Sequence, residues 1–247
     1  MIRCVISDQT DKLLKIINEP IGKLCKSLCG KVIFEKINDR NYLIYEIKDS
    51  YYDYFSKQLT NTMTKFLLYS VKDEFYRESL PFKFDNIYAY VILKSLVFAD
   101  FEITREKLEN SIGNFDEFCL DGVKNFMLTK EFAEWKNIAR ATNDNSYVLT
   151  HKKEYKKFLS CIVSNVVGKD ESLYLLGEDE PFLVTDDLKK VTYSLYDGDK
   201  MTQNQLFVSN LIEHLPSKLL IYNKNLSKEI ISVIDLLFDS NLSMKKP

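Results

Sequence analysis

The segment from Thr202 to Asp239 constrains the fold most, because it predicts several elements in a fixed order. Thr202 and Gln205 have the spacing of a capping box, in which two side chains satisfy backbone N–H groups at a helix start. The helix itself is predicted by apolar residues at helical spacing, namely Val208, Leu211, Ile212 and Leu215. Pro216 is expected to end this helix.

A strand and a second helix follow in the same segment. Residues 218–222 form an apolar run that is too short for a helix and is typical of a buried strand. Ser227 is a suitable N-cap for the last helix, whose apolar stripe contains Ile230, Ile231, Ile234, Leu237 and Phe238. The segment therefore predicts a C-terminal α/β unit.

The N-terminus predicts strands as well. Residues 2–6 form an apolar run, and the helix after it is expected to break at Pro20 and Gly22. Residues 32–36 and 42–47 are rich in strand-forming side chains and flank a polar turn. We expect them to form an antiparallel hairpin whose turn is longer than the two-residue Asn-Gly type.

The middle of the chain, from about residue 51 to residue 167, is predicted to be helical. One of its helices is expected over residues 114–127, with Phe118 and Cys119 on its apolar face. The predicted fold class is α+β, with a mostly helical middle between an N-terminal hairpin region and a C-terminal α/β unit. Domains are predicted at residues 1–167 and 168–247, or else one compact domain, and the strands at the two ends share one sheet or form two.

Composition narrows the functional classes. The 34 Lys and Arg residues nearly balance 36 Asp and Glu residues, so the chain has no bulk attraction to nucleic acid, and we do not expect binding to it. The N-terminus lacks the pattern of a signal peptide, and the apolar runs are too short to span a bilayer. We therefore expect a cytoplasmic protein, in which the five scattered cysteines are reduced and buried.

The motifs that would indicate chemistry are incomplete. Cys25 and Cys29 have helical spacing but lack further ligands nearby, and His151 and His214 are far apart in sequence. The sequence contains neither a glycine-rich phosphate loop nor a G-x-S-x-G motif. We therefore predict no catalytic residue, metal site or cofactor, and we favour a binding protein over an enzyme.

A group of tyrosines suggests where binding takes place. Tyr51, Tyr52 and Tyr54 lie so close together on one helix that they cannot all face the same core. Tyrosines at a surface are typical of interfaces, because the ring is apolar and the hydroxyl is polar. We expect an interaction with a protein partner here, while the oligomeric state stays open.

A second interpretation places a small ligand or nucleotide, or an enzyme site, in the C-terminal α/β unit. Ligands of open α/β sheets bind beyond the carboxyl ends of the strands. In this sequence that rule indicates the turns carrying Asp197, Asp199, Asn223 and Asn225. The same Asp-rich turns are also explained by ordinary turn chemistry.

The C-terminal segment also resembles a known family. Its order is Leu-Phe-Val-Ser-Asn-Leu-Ile-Glu-His-Leu-Pro, then Lys-Leu-Leu-Ile-Tyr-Asn, then an Ile-rich helix ending Leu-Leu-Phe. This order, and the aromatic-rich pattern of residues 115–164, resemble the sporulation proteins of the YtxC type over the last half to two-thirds of the chain. The resemblance implies a cytosolic protein of an endospore-forming bacterium that acts in sporulation, and it transfers no site residues.

Overall fold

The computed structural model describes residues 1–113, 117–146, 151–163, 166, 169–177, 181–191, 201–222, 226–238 and 242–243. It confirms the α+β class, with a long helical middle between N-terminal and C-terminal strands. The strands at the two ends belong to two separate four-stranded sheets. Two compact units are present, Met1–Lys72 with Ile103–Lys136 and Asp73–Glu102 with Asn137–Pro247. The predicted boundary between residues 167 and 168 lies outside the described residues.

In the described part of the chain, most strands lie toward the two ends and most helices lie between them. The strands are β1 Ile2–Asp8, β2 Lys31–Ile37, β3 Arg40–Ile47, β4 Glu117–Cys119, β5 Lys169–Leu176, β6 Phe182–Val184, β7 Pro216–Ile221 and β8 Leu242–Ser243. The α-helices are α1 Lys12–Ser27, α2 Tyr52–Ser79, α3 Ile87–Phe98, α4 Phe101–Ile112, α5 Leu120–Gly122, α6 Thr129–Asp144, α7 Lys152–Val163, α8 Gln203–His214 and α9 Lys228–Leu237. A 3₁₀ turn covers Asp49–Tyr51, and a π-helical turn covers Val123–Met127.

The first unit contains a sheet of order β2-β3-β1-β4. β3 lies antiparallel to both β1 and β2, whereas β4 lies parallel to β1 with Phe118 opposite Ile6. Successive side chains of a strand point to opposite faces. Alternate residues of β1 and β3 therefore lie together on one face of the sheet. The buried residues of this face are Cys4, Ile6, Leu43, Tyr45 and Ile47.

Helix α1 packs against β1, β2 and β3. Its buried residues follow helical spacing and form one stripe, which comprises Leu14, Ile17, Ile21 and Cys25. The predicted break at Pro20 is wrong, because α1 continues through this residue to Ser27. A proline inside a helix costs about 3 kcal/mol. The apolar stripe continues in phase on both sides of Pro20, and its burial offsets that cost.

The hairpin of β2 and β3 is confirmed, but its turn is shorter than predicted. Ile37 pairs with Arg40, so the loop contains only Asn38 and Asp39. Both residues have positive φ, 48° and 62°, as a type I′ turn requires. Asn and Asp tolerate this conformation better than other non-glycine residues. The turn therefore fixes the register of the β2–β3 pair.

The helix predicted over residues 114–127 is wrong at Glu117–Cys119, whereas residues 120–127 are helical. Glu117–Cys119 form β4 instead, and a short α-helical turn and a π-helical turn follow. Phe118 is buried opposite Ile6 of the neighbouring strand. Three residues are too few to show a period of two, and pairing with β1 decides their conformation.

The second unit confirms the predicted helix, strand and helix as α8, β7 and α9. Thr202 and Gln205 form the predicted capping box, and the Ser227 hydroxyl accepts a bond from the Ile230 N–H. The sheet has the order β6-β5-β7-β8. β7 lies between β5 and β8 and is parallel to both.

Helix α3 is buried on all sides and packs against α7, α8 and α9. Tyrosine hydroxyls connect these helices. The Tyr90 hydroxyl lies 2.8 Å from the Ser209 hydroxyl, and the Tyr155 hydroxyl donates to the Tyr88 carbonyl at 2.8 Å. The Tyr88 hydroxyl in turn donates to the Ser232 hydroxyl at 3.2 Å. Each buried hydroxyl of the three tyrosines thus has the partner that its burial requires.

An ion pair lies inside the second unit. Lys94 of α3 is fully buried, and its ammonium group donates to Asp73 Oδ1 at 2.9 Å. Arg77 pairs with the other carboxylate oxygen. A buried charge is tolerated only when a partner compensates it. Asp73 therefore supplies a counter-charge next to the buried ammonium group of Lys94.

Removing the carboxylate should destabilise the protein strongly. We expect Asp73→Asn to lower the free energy of unfolding by about 3–5 kcal/mol, because it removes the carboxylate charge that lies next to the buried Lys94 ammonium group. Urea unfolding of the wild type and the variant, followed by circular dichroism, measures the change.

The double variant Asp73→Asn/Lys94→Met serves as the matched control. It removes both charges, so we expect it to recover most of the lost stability. An additive loss in the double variant would contradict the assignment of a coupled pair.

Candidate functional site

The tyrosines predicted as an interaction surface lie at the end of the 3₁₀ turn Asp49–Tyr51 and in the first turn of α2. Tyr51 is 42% exposed and Tyr54 is 55% exposed, while Tyr52 is half-buried. The next residue, Phe55, is fully buried and packs edge-to-face on Tyr45 with ring centroids 5.3 Å apart. Phe55 thus anchors this turn of the helix, and the rings of Tyr51 and Tyr54 remain accessible to solvent.

The predicted ligand turns lie outside the described residues. This applies to Asp197, Asp199, Asn223 and Asn225. The strands before two of these turns are described, and β5 and β7 are parallel neighbours as the prediction requires. Near their carboxyl ends Tyr174 and Tyr222 stack with ring centroids 6.0 Å apart.

The cysteines and histidines are dispersed. Cys4 and Cys25 are buried as predicted, but the prediction is wrong for Cys29, Cys119 and Cys161, which are exposed. Cys29 lies beyond the end of α1 with φ of 57°, so it does not share a helical face with Cys25. Within the described ranges, no group of three or more His, Cys, Asp or Glu side chains is arranged to hold a metal ion.

None of the described helices is long and apolar enough to cross a bilayer. The longest, α2, carries charged residues along its length, such as Asp53, Lys65 and Lys72. The most apolar, α3, has only 12 residues, whereas a span needs about 20.

A polar cluster that the sequence did not reveal lies where β1 and β4 end. It contains Asp8, Arg40, Cys119 and Asp121, and we call it the acid–arginine cluster. Asp8 ends β1, Cys119 ends the parallel strand β4, and Asp121 follows in the next turn. Arg40 begins β3, which is antiparallel to β1, so its side chain reaches the same edge of the sheet.

The groups of this cluster bond one another. The Arg40 guanidinium donates to Asp121 Oδ2 at 2.6 Å and to Cys119 Sγ at 2.7 Å. Its Nε donates to the Ser7 hydroxyl at 3.1 Å. The Gln9 N–H donates to Asp8 Oδ1 at 2.9 Å and to Asp121 Oδ2 at 3.2 Å.

Asp8 and Asp121 lie close enough to share a proton. Burial of Asp8, followed by the hydrogen bond to the Asp121 carboxyl and the charge of that group, raises the pKa of Asp8 to about 6. Hydrogen bonds from the Thr10 hydroxyl and the Gln9 N–H lower the pKa of Asp8, but by less. Two carboxylates in one site resist double ionisation. The Asp8 carboxyl therefore holds a proton below about pH 6 and releases it above.

The main role of the cluster is to link the three strands β1, β3 and β4, and its reactive groups are largely occupied by bonds to one another. Arg40 neutralises Asp121, and both carboxylates accept bonds from neighbours within the cluster. Such a network can hold or release one proton, which is the chemistry available to an acid or base. Its bonds also fasten β4 and the turn after it to β1 and β3.

A second candidate site is the edge strand β2. In the described part of the chain β2 ends the sheet and has β3 as its neighbour. Phe34 is 42% exposed and Ile37 is 48% exposed. Val32 and Ile33 are half-buried. An edge strand presents a row of backbone N–H and C=O groups, and exposed apolar side chains along it favour the addition of another strand.

The type I′ turn determines which backbone groups of β2 face outward. In a two-residue hairpin loop the residues that flank the loop, here Ile37 and Arg40, form a hydrogen-bonded pair. Hydrogen-bonded and non-hydrogen-bonded pairs alternate in an antiparallel ladder. The groups of Ile33 and Glu35 therefore face β3, whereas those of Val32, Phe34 and Lys36 face away from it.

The shared proton makes stability depend on pH. Because the folded-state pKa of Asp8 is raised from 3.8 to about 6, the folded protein binds more protons than the unfolded chain between these values. Stability is therefore greatest below about pH 4 for this group and falls as the pH rises through 6. Allowing for solvent screening at the partly exposed Asp121 and Arg40, the loss should be about 1–2 kcal/mol. Urea unfolding at a series of pH values measures it.

The variant Asp8→Asn should remove this component of the pH profile and stabilise the protein at pH 7.5, because its amide donates to Asp121 without adding charge. Asp39→Asn is the matched control, since Asp39 lies exposed in the hairpin turn. A pH profile of Asp8→Asn that equals the wild-type profile would contradict the assignment of a shared proton.

No family model, curated protein or solved structure matches this chain. The resemblance to the YtxC type therefore depends on the residues quoted for it. The features of the structure that bear on function are the acid–arginine cluster, the exposed tyrosines and the edge of β2.

Proposed function

We propose that this protein acts without catalysis, in the cytoplasm, by binding another protein through the edge of β2. The binding mode is strand addition, in which an extended segment of the partner extends the sheet. Main-chain hydrogen bonds supply affinity, and the side chains of alternate residues supply specificity. The observation that carries the proposal is the exposed apolar side chain of Phe34 on an edge strand.

The composition of β2 supports this proposal. Natural edge strands are usually protected from other chains by short length, by charged side chains and lysine above all, by prolines or by bulges. β2 is seven residues long, contains no proline and pairs with β3 in unbroken register. Its centre, Val32 to Phe34, is apolar, and its charged residues lie toward the ends. An edge of this kind favours a specific partner strand.

The tyrosines offer a second contact for the partner. Tyr51 and Tyr54 belong to the same unit as β2 and expose about half of their surface. Tyrosine is enriched at interfaces, because a large rigid ring loses little conformational freedom on binding. We therefore propose that these two residues contribute to recognition.

The cellular setting is also a proposal. The resemblance of the last half to two-thirds of the chain to the YtxC type suggests sporulation in an endospore-forming bacterium. A binding protein without a catalytic set suits an adaptor role in that process. Capture experiments in sporulating cells would identify the partner.

A small-ligand site is the second candidate function, and the acid–arginine cluster favours it. Asp8 is the last residue of β1 and Asp121 follows the parallel strand β4, so both lie at the carboxyl ends of strands, where α/β sheets bind ligands. The pKa of about 6 for Asp8 suits an acid or base near neutral pH. Native mass spectrometry of the purified protein tests this alternative, because a retained ligand would add a discrete mass that Asp8→Asn loses.

The edge variant Phe34→Lys tests the proposed function. A lysine at this position places a strongly hydrated charge where the partner strand would lie, and we expect recovery of a cross-linked partner to fall at least about tenfold. The thermal midpoint should change by only a few degrees, because Phe34 is already half exposed. Quantitative mass spectrometry of proteins captured by the tagged chain gives the readout.

Leu188→Lys is the matched control for this experiment. It makes the same kind of change at another exposed apolar residue, which lies outside β2. The proposal predicts that this variant captures partners as the wild type does. Equal capture by Phe34→Lys and the wild type would refute strand addition at β2.

Alanine substitution of Tyr51 and Tyr54 tests the second contact. We expect the double variant to weaken capture several-fold, since it removes two exposed aromatic rings, and to melt within a few degrees of the wild type. Tyr52→Ala is the internal comparison, because this ring is half-buried. Wild-type capture by the double variant would remove these residues from the binding surface.

A further inference from the structure

We infer that the strand added to β2 is β2 of a second copy of this chain, in antiparallel orientation with Ile33 facing Ile33 across a two-fold axis. This inference rests on the proposed function, because it names the partner for the same edge. It joins two four-stranded sheets into one sheet of eight strands. The register follows from hydrogen bonding and charge along β2.

Hydrogen bonding restricts the possible registers. In a two-fold dimer of edge strands the pairing is antiparallel and self-complementary. Outward-facing groups must meet outward-facing groups, and in β2 these belong to Val32, Phe34 and Lys36. The two-fold axis must therefore pass through a residue, because an axis between two residues would oppose an outward group to an inward one.

Charge then selects one register. With the axis at Ile33, Lys31 of each copy lies opposite Glu35 of the other copy. Val32 lies opposite Phe34 on the other face. Every directly opposed pair from Lys31 to Glu35 is thus either oppositely charged or apolar, and such pairs stabilise a sheet.

The neighbouring registers lack this match. An axis at Phe34 places Val32 opposite Lys36 and Ile33 opposite Glu35. An axis at Glu35 places two carboxylates directly opposite each other, which is destabilising. An axis at Val32 places Phe34 opposite Gly30, outside the strand. Of these registers, the one with the axis at Ile33 pairs opposite charges with each other and apolar side chains with each other.

The exposure of the side chains agrees with this arrangement. Val32 and Phe34 lie on the face that carries the buried residues Leu43 and Tyr45. α1 packs against this face, yet Phe34 keeps 42% of its surface exposed. In the dimer Val32 of the second copy lies beside that ring. The pairing therefore continues the apolar layer under α1 from one copy into the other.

A charge-exchange experiment tests the register directly. Lys31→Glu places two like charges opposite each other at both ends of the pairing, and Glu35→Lys does the same with positive charge. We expect either variant to weaken the dimer by about tenfold to a hundredfold. Sedimentation velocity over a concentration series of purified full-length protein measures the dissociation constant.

Mixing the two variants provides the decisive comparison. In a mixed dimer the two negative side chains of the Lys31→Glu copy meet the two positive side chains of the Glu35→Lys copy. We therefore expect an equimolar mixture to form a one-to-one dimer as tightly as the wild type, while each variant alone dissociates. The double variant Lys31→Glu/Glu35→Lys should dimerise like the wild type.

Lys36→Glu is the matched control, because it reverses a lysine of the same strand that lies beyond the directly paired residues. It should leave the dissociation constant within about twofold of the wild type. Native mass spectrometry identifies the mixed dimer by its mass. Circular dichroism and thermal melting confirm that each variant is folded.

The outcomes separate this inference from the proposed function. Dimers that do not respond to charge reversal would overturn the register at Ile33. A wild-type monomer at every concentration would overturn the inference, and the proposed function would stand if Phe34→Lys still lost capture of a different protein. Unchanged capture by Phe34→Lys with a monomeric wild type would overturn both.

Discussion

The antiparallel pairing of β3 with β1 and β2 is the constraint on which the first unit depends. It places alternate residues of β1 and β3 on one face, where α1 covers them. The type I′ turn at Asn38 and Asp39 then fixes which backbone groups of β2 bond to β3. The same geometry that builds the core therefore directs a row of N–H and C=O groups outward at β2. These outward-facing groups are the basis of the binding proposal.

The two candidate sites differ in how far their polar groups are satisfied. In the acid–arginine cluster Arg40, Asp8 and Asp121 bond one another, and the cluster stabilises the carboxyl ends of β1 and β4. At the edge of β2 the backbone groups of Val32 and Phe34 face away from the sheet. A strand that pairs there would gain hydrogen bonds and apolar contacts. For this reason the edge of β2 is a stronger basis for a binding proposal than the cluster is for a catalytic one.

The sequence predicted the parts of the fold that have long periodic patterns. The segment of α8, β7 and α9 was predicted correctly, since capping residues and apolar spacing agree there. β4 was missed, because three residues carry no period and their conformation comes from pairing with β1. The acid–arginine cluster was also missed, because Asp8, Arg40 and Asp121 are distant in sequence. Strand pairing alone brings these residues together. Of the tyrosines, Tyr51 and Tyr54 are exposed, but no contact of theirs tests the predicted interaction.

Hydrogen exchange at single amides of β2 tests the central claim most directly. The account predicts that the amides of Ile33 and Glu35 are protected at every protein concentration, because they bond to β3. It predicts that the amides of Val32 and Phe34 exchange rapidly in dilute protein and become protected as concentration rises. Protection of Val32 and Phe34 that does not change with concentration or with added partner would contradict the claim that this edge binds a strand.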